Sequence, residues 1–122
     1  MSAEALATPR PLALVVDDSD DQAELLRRYL ERAGCRVVTA STAERALEEL
    51  VDIRPDLAII DLMLPGMSGE ELSVRLRDEH PDCVLAITSV LDASRYPEAD
   101  AVLPKPFTGA QVAALAARAT GA

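Results

Sequence analysis

The 122-residue chain has very few aromatic residues and a deficit of positive charge. Aromatic residues make up 2% of it, tryptophan is absent, and 21 acidic residues against 12 basic ones give a formal net charge of −9. Nucleic-acid-binding proteins usually present a positive surface and often stack bases on aromatic side chains. We therefore expect no direct contact with DNA or RNA.

Cysteine, histidine and long apolar runs are also scarce. Cys35, Cys83 and His80 have no zinc-ligand spacing and no catalytic companions, so we expect reduced, structural thiols. The longest apolar run, residues 112–117, is far shorter than the ~20 residues that span a membrane, and residues 1–11 lack the apolar centre of a signal peptide. These absences predict a cytoplasmic protein that does not enter a membrane.

Short apolar runs rich in β-branched residues alternate with helical patterns along the chain. Their continuous hydrophobicity predicts strands that are covered on both faces, as in a parallel sheet. We expect strands at residues 12–16, 36–39, 57–60, 84–87 and 101–103. Strands that alternate with helices form βαβ units with right-handed crossovers, so the prediction is an α/β fold with a doubly wound, five-stranded parallel sheet.

Helix starts are marked by Ser or Thr followed three residues later by Glu or Gln, the pattern of a capping box. The pairs are Ser19 and Gln22, Ser41 and Glu44, Ser68 and Glu71, and Thr108 and Gln111. Only about ten residues remain for a helix between the fourth and fifth strands, so that helix is predicted to be short or missing. Residues 1–10 are expected to be a flexible tail, and residues 11–122 a single domain.

Acidic residues follow two of the predicted strands directly: Asp17 and Asp18 follow the first, and Asp61 follows the third. In an open parallel sheet, ligands bind beyond the carboxyl ends of the strands, so these carboxylates should meet at one edge. Their mutual repulsion favours a bound cation, and an all-oxygen ligand set suits Mg²⁺. Thr88 and Lys105, at the ends of the fourth and fifth strands, add a hydroxyl donor and a positive charge for an anion. Asp61 is therefore a candidate nucleophile for phosphoryl transfer.

The sequence resembles the receiver domains of two-component response regulators. The carrying residues are Val-Val-Asp-Asp-Ser at 15–19, Asp-Leu-Met-Leu-Pro-Gly-Met-Ser-Gly at 61–69, Thr88, and Lys-Pro-Phe at 105–107. The resemblance implies a flavodoxin-like receiver fold, and it implies that Asp61 accepts a phosphoryl group from a phosphohistidine. It further implies that Asp17, Asp18, Asp61 and the Met63 backbone carbonyl hold Mg²⁺, that Thr88 and Lys105 contact the phosphoryl group, and that the bond before Pro106 is cis.

The implied partners are a histidine kinase or histidine phosphotransfer protein and a downstream protein target. The chain is expected to be a monomer or weak dimer and not an enzyme beyond self-catalysed phosphoryl transfer and dephosphorylation. Its length leaves no room for an output domain, so the signal should leave through protein contact. The chain fits a single-domain regulator and a receiver excised from a longer protein equally well.

Four features of the sequence affect the expected signalling. Val102 occupies the position where receivers usually carry the aromatic residue that reports phosphorylation, and Pro104 should confine the fifth strand to the sheet edge. The segment after Thr88 is roughly five residues shorter than usual, so phosphorylation is expected to order residues 89–98 instead. Apolar Met63 and Val90 offer no group to orient an attacking water, which predicts slow self-dephosphorylation.

Two other functions are compatible with parts of the pattern. A magnesium-dependent phosphatase of the haloacid-dehalogenase type also uses an Asp nucleophile, but it requires a second Asp two residues later, where this chain has Met63. It would also need a cap domain, for which the chain is too short. A receiver-like interaction scaffold that is not regulated by phosphorylation is the remaining alternative.

Overall fold

The computed structural model describes residues 10–89 and 99–119, which form five strands and four helices. The strands are β1 (Leu12–Val16), β2 (Arg36–Ala40), β3 (Leu57–Asp61), β4 (Val84–Ser89) and β5 (Ala101–Pro104). The helices are α1 (Asp20–Arg32), α2 (Ala43–Leu50), α3 (Gly69–Glu79) and α4 (Gly109–Ala119). All five predicted strands are present, and every strand except β1 extends one or two residues farther toward its carboxyl end.

The strands form one parallel sheet in the order β2-β1-β3-β4-β5. The chain therefore moves outward from β1 to β2 and then crosses back to β3 on the other side, which confirms the doubly wound fold. The neighbouring carboxyl ends of β1 and β3 lie where the winding reverses, the usual position of a ligand site in such sheets. Strand β5 lies at an edge, as its proline predicted.

The core has two layers because alternate strand residues face opposite sides of the sheet. Leu14, Val16 and Ile60 pack on the side that carries α2 and α3. Val15 and Ile59 pack on the other side, against α1 and α4. Aliphatic side chains thus dominate both layers, as the low aromatic content required.

Three of the four predicted helix caps are confirmed. The hydroxyl groups of Ser19, Ser68 and Thr108 each accept a hydrogen bond from the backbone N–H three residues later. At Thr108 the capping box is complete in both directions, because the Gln111 side-chain oxygen also accepts a hydrogen bond from the Thr108 N–H at 2.8 Å.

The predicted capping box of Ser41 and Glu44 is wrong. The N-cap of α2 is Thr42, whose extended backbone (φ −139°, ψ 160°) lets its hydroxyl accept a bond from the Arg45 N–H. Strand β2 continues one residue beyond its predicted end, to Ala40, and the helix start is displaced with it. Glu44 then lies in the first turn, and its carboxylate binds a different segment of the chain.

Several predictions fall outside the described residues. These are the short or missing helix between β4 and β5, the ordering of residues 89–98 apart from Ser89, the role of Val90, and the tail over residues 1–10 apart from Arg10.

Among the described residues, Cys35 and Cys83 are free and buried, as predicted. Burial raises the pKa of Cys83 to about 12. None of the described helices has the length and hydropathy needed to cross a bilayer.

Asp100 connects the start of β5 to β4 and α3. Its carboxylate accepts a bond from the Leu85 N–H at 2.8 Å, and its own N–H donates to the Leu85 carbonyl at 2.9 Å. Arg77 of α3 approaches the same carboxylate at 3.3 Å. Partial burial alone would raise the pKa of Asp100, but the bonds from Leu85 and Arg77 outweigh it and hold that pKa below its ordinary value.

Asp100→Ala should lower the free energy of unfolding by about 1–2 kcal/mol at neutral pH, because the Leu85 N–H loses its acceptor. A carboxylate whose pKa is depressed on folding stabilises the protein above its unfolded pKa of about 3.9, and that contribution is lost as the pH falls through the folded pKa. The difference between wild type and variant should therefore narrow in acid. Urea titrations at several pH values measure this difference in the free energy of unfolding, and Asp78→Ala, an exposed change of the same type, is the control. A difference that did not change with pH would contradict the prediction.

Candidate functional site at the carboxyl ends of the strands

The structure brings the predicted site residues to the carboxyl edge of the sheet. Asp17 and Asp18 directly follow β1, and Asp61 is the last residue of β3. Thr88 of β4 lies in register beside Asp61. Lys105 follows β5 directly and reaches back across the sheet edge.

The three aspartates form a compact acidic cluster. One carboxylate oxygen from each of Asp17, Asp18 and Asp61 lies within 4.8 Å of the others. Asp17 and Asp61 are only 1% and 5% exposed, whereas Asp18 is exposed. Buried carboxylates this close repel one another unless positive charge compensates them.

Lys105 supplies part of that compensation. Its Nζ donates to Asp61 Oδ2 at 3.0 Å and to Asp17 Oδ2 at 3.1 Å, and its side chain is 16% exposed. It is the only lysine of the chain, whose other basic residues are arginines. Three ionised carboxylates and one ammonium still leave two uncompensated negative charges, which matches the charge of one divalent cation.

The other oxygen of each buried carboxylate is held by the backbone. Asp17 Oδ1 accepts from the Ser19 N–H at 2.9 Å, and Asp61 Oδ1 accepts from the Met63 N–H at 2.9 Å. Each carboxylate is therefore fixed by the turn that follows its own strand and by Lys105. Asp17 and Asp61 therefore both present their Oδ2 atoms to the same ammonium group.

The pKa values of the charged groups reflect this setting. Burial raises the pKa of Asp17, and the nearby charge of Asp61 adds to the rise, while the bonds from Ser19 and Lys105 only partly oppose it. Burial alone would lower the pKa of Lys105, but its bonds to Asp61 and Asp17 outweigh that effect and raise it. Lys105 therefore stays protonated near neutral pH.

The loop after β5 is anchored against α1. The Lys105–Pro106 peptide bond is cis, as the family resemblance implied. Phe107 contacts Tyr29 of α1 edge to face, with the ring centroids 6.4 Å apart. A Cβ at Gly109 would lie 3.1 Å from the Tyr29 ring, so glycine allows the start of α4 to pack closely against it.

Thr88 indicates what the site binds. It is fully buried, and its Oγ1 has no hydrogen-bond partner in the described part of the chain. A buried hydroxyl without a partner is destabilising, so its presence beside Asp61 favours an external acceptor such as a phosphoryl oxygen. The donor set of this edge, carboxylates with a hydroxyl and an ammonium, therefore fits Mg²⁺ together with a phosphoryl group.

Sequence reasoning missed the part that Gly69 plays at this edge of the sheet. A Cβ at Gly69 would overlap the Asp61 carbonyl oxygen and lie 2.8 Å from Leu62 Cα, so only glycine lets α3 begin against the end of β3. The one signal in the sequence was a glycine directly after the Ser68 cap, where alanine is the better helix former. Glu44, predicted to complete a capping box, accepts a hydrogen bond from the Met67 N–H of the loop after β3 instead.

A family model matches most of the chain. The model described as the response regulator receiver domain matches residues 13–117. The chain belongs to this family. The five-stranded sheet and the acidic edge of this receiver domain are thus family features.

Individual relatives agree with this assignment. The receiver domain is 36% identical to the transcriptional regulatory protein PrrA of Mycobacterium tuberculosis over 85% of this chain and 47% of that protein. It is 35% identical to a cyclic di-GMP phosphodiesterase of Thermotoga maritima over 65% of this chain and 21% of that protein. The chain thus spans less than half the length of these relatives.

A solved structure confirms the fold. The BeF3-activated receiver domain of DrrB from Thermotoga maritima superimposes with a TM-score of 0.84 at 24% identity. The match covers 93% of this chain and 99% of the DrrB chain. At this level of identity the likeness establishes the fold alone.

Lys105→Met should lower the free energy of unfolding in EDTA by about 3 kcal/mol, because it leaves buried carboxylates without a cation. Excess Mg²⁺ should reduce this loss of unfolding free energy, because the ion would replace the positive charge of the Lys105 ammonium. Urea unfolding in EDTA and in Mg²⁺ measures both effects. Arg45→Met, which removes an equal but exposed charge from α2, is the control, and a Lys105→Met loss no larger than the control's would contradict the prediction.

Proposed function

We propose that this receiver domain is a phosphoacceptor that takes a phosphoryl group from a phosphohistidine onto Asp61. This proposal is supported mainly by the Thr88 hydroxyl, which is fully buried, lies in register beside Asp61 and has no hydrogen-bond partner among residues 10–89 and 99–119. The same edge also holds Asp17 and Lys105. If Asp61 had only a structural role, it would not need a buried hydroxyl donor without an acceptor beside it. The expected phosphate donors are a histidine kinase or a histidine phosphotransfer protein.

In the proposed reaction, a carboxylate oxygen of Asp61 forms a bond to phosphorus as the phosphorus–nitrogen bond to the histidine breaks. The imidazole leaves with the bonding electron pair and takes up a proton. Lys105 stays beside the reacting carboxylate, and the Thr88 hydroxyl donates to a phosphoryl oxygen. The Met63 N–H keeps Asp61 oriented during the transfer.

Asp17, Asp18 and Asp61, with the Met63 backbone carbonyl, would hold Mg²⁺ in this proposal. The ion would offset the negative charge on the phosphoryl oxygens during transfer. Asp18 contributes the exposed carboxylate of the set, and Asp17 contributes a buried one that its strand end and the Ser19 N–H hold in place.

The phosphorylated domain is proposed to act in the cytoplasm by changing its affinity for a protein partner, as a monomer or weak dimer and without binding nucleic acid itself. Val102 of β5 is 41% exposed and has no ring to rotate inward. The signal must therefore reach the partner through a movement other than an aromatic rotamer change.

Incubation with acetyl phosphate and Mg²⁺ should add one phosphoryl group to the wild type and none to Asp61→Asn, as measured by intact-protein mass spectrometry. Asp78→Asn, an exposed change of the same type on α3, should behave like the wild type. Profiling against purified histidine kinases would then identify the phosphate donor. If neither kinases nor acetyl phosphate modified the wild type, the unregulated interaction scaffold would be the better explanation.

Phospho-Asp61 should lose its phosphoryl group slowly, with a half-life on the order of minutes or longer, because the exposed Met63 side chain has no group to orient a water. A ³²P-labelled phosphodonor and a chase after its removal measure the half-life. Met63→Asn, which adds a polar group at that position, should shorten it. A wild-type half-life of seconds would contradict the proposal.

A further inference from the structure

The loop between β3 and α3, residues 62–68, carries the Met63 backbone that orients Asp61. The Leu62 N–H donates to the Thr88 carbonyl at 3.3 Å, which fixes the first residue of the loop to β4. Ser68 fixes the last residue by capping α3. The stretch between these two points turns through Pro65 and Gly66 at the surface.

Glu44 holds the middle of this loop from a different part of the chain. Its Oε2 accepts a hydrogen bond from the Met67 N–H at 3.1 Å, across 23 residues of sequence. This bond, together with a smaller contribution from the backbone N–H of Glu44 itself, holds the pKa of the Glu44 carboxyl below its ordinary value, although the side chain is exposed.

Gly66 makes the contact possible. Its φ of 72° lies in the left-handed region that favours glycine, and a Cβ there would lie 2.8 Å from Glu44 Oε2. The carboxylate therefore packs directly over the turn. The loop between β3 and α3 and the first turn of α2 are therefore in close contact at Gly66 and Glu44.

The first turn of α2 and the helix dipole account for only part of the position of the Glu44 carboxylate, which also accepts from its own backbone N–H. Thr42, not Glu44, completes the cap of α2. The helix dipole favours an acidic residue in the first turn but does not direct it toward the Met67 N–H. Glu48 of the same helix is also exposed, and it pairs with Arg45 instead.

We propose that Glu44 is a positioning residue for the acidic site. By holding Met67, it sets the path of the loop and so the placement of the Met63 N–H against Asp61 and of the Met63 carbonyl toward the metal. The inference rests on the proposed Mg²⁺-dependent phosphoacceptor function. Glu44 touches none of the reacting groups and acts through the loop backbone.

Glu44→Ala should raise the Mg²⁺ dissociation constant about fivefold, the equivalent of roughly one exposed hydrogen bond. Isothermal titration calorimetry with MgCl₂ on the full chain measures it. The rate of phosphorylation by acetyl phosphate should fall at subsaturating Mg²⁺ and recover at saturation. Glu44→Gln keeps an acceptor oxygen and should restore most of the affinity. Glu48→Ala removes the same charge from the same helix and should match the wild type.

The outcomes separate this inference from the function on which it rests. If Glu44→Ala lowered Tm but bound Mg²⁺ as Glu48→Ala does, Glu44 would only stabilise the fold, and the inference would be wrong. It would also be wrong if Glu44→Gln matched Glu44→Ala, because charge rather than the bond to Met67 would then be responsible. Failure of the wild type and Glu48→Ala alike to bind Mg²⁺ or accept phosphate would overturn the proposed function itself.

Discussion

The paired contact of Lys105 with Asp17 and Asp61 is the interaction on which the site depends. Two buried carboxylates at neighbouring strand ends would repel each other, and one ammonium held at 3.0–3.1 Å from both makes their approach tolerable. The order of the strands makes this contact possible, because it places the ends of β1 and β3 side by side and lets Lys105, after β5, reach both of them. The sheet thus places charges that are far apart in sequence within one small volume.

The backbone around this contact is arranged to hold it. The turns after β1 and β3 each return an N–H to their own aspartate, and Gly69 lets α3 begin directly against the Asp61 carbonyl. On the other side of the sheet, Phe107 and Tyr29 anchor the loop that carries Lys105. Stability and the geometry of the acidic site therefore depend on the same contacts, since displacement of any one strand end would separate the charges.

Much of this could be predicted from the sequence because the signals were local. Continuous apolar runs located the strands, the residues directly after those runs located the acidic edge, and hydroxyl caps located three helix starts. The start of α2 was misplaced because Ser41 and Thr42 both carry hydroxyls and only the end of β2 decides between them. The bond from Met67 to Glu44 could not be predicted, since it joins residues 23 positions apart and depends on the turn at Gly66. That the Thr88 hydroxyl has no partner within the described part of the chain is likewise visible only in three dimensions.

Lys105 is also the one lysine side chain of this chain that can be acylated. Apart from the imidazole of His80, all other basic side chains of this domain are guanidinium groups, so Lys105 carries its only side-chain amine. Acylation of that amine would remove the positive charge shared by Asp17 and Asp61 and fill the space beside them. Any reagent or enzyme that acylates lysine side chains therefore meets one target in this chain, and that target lies at the centre of the acidic site.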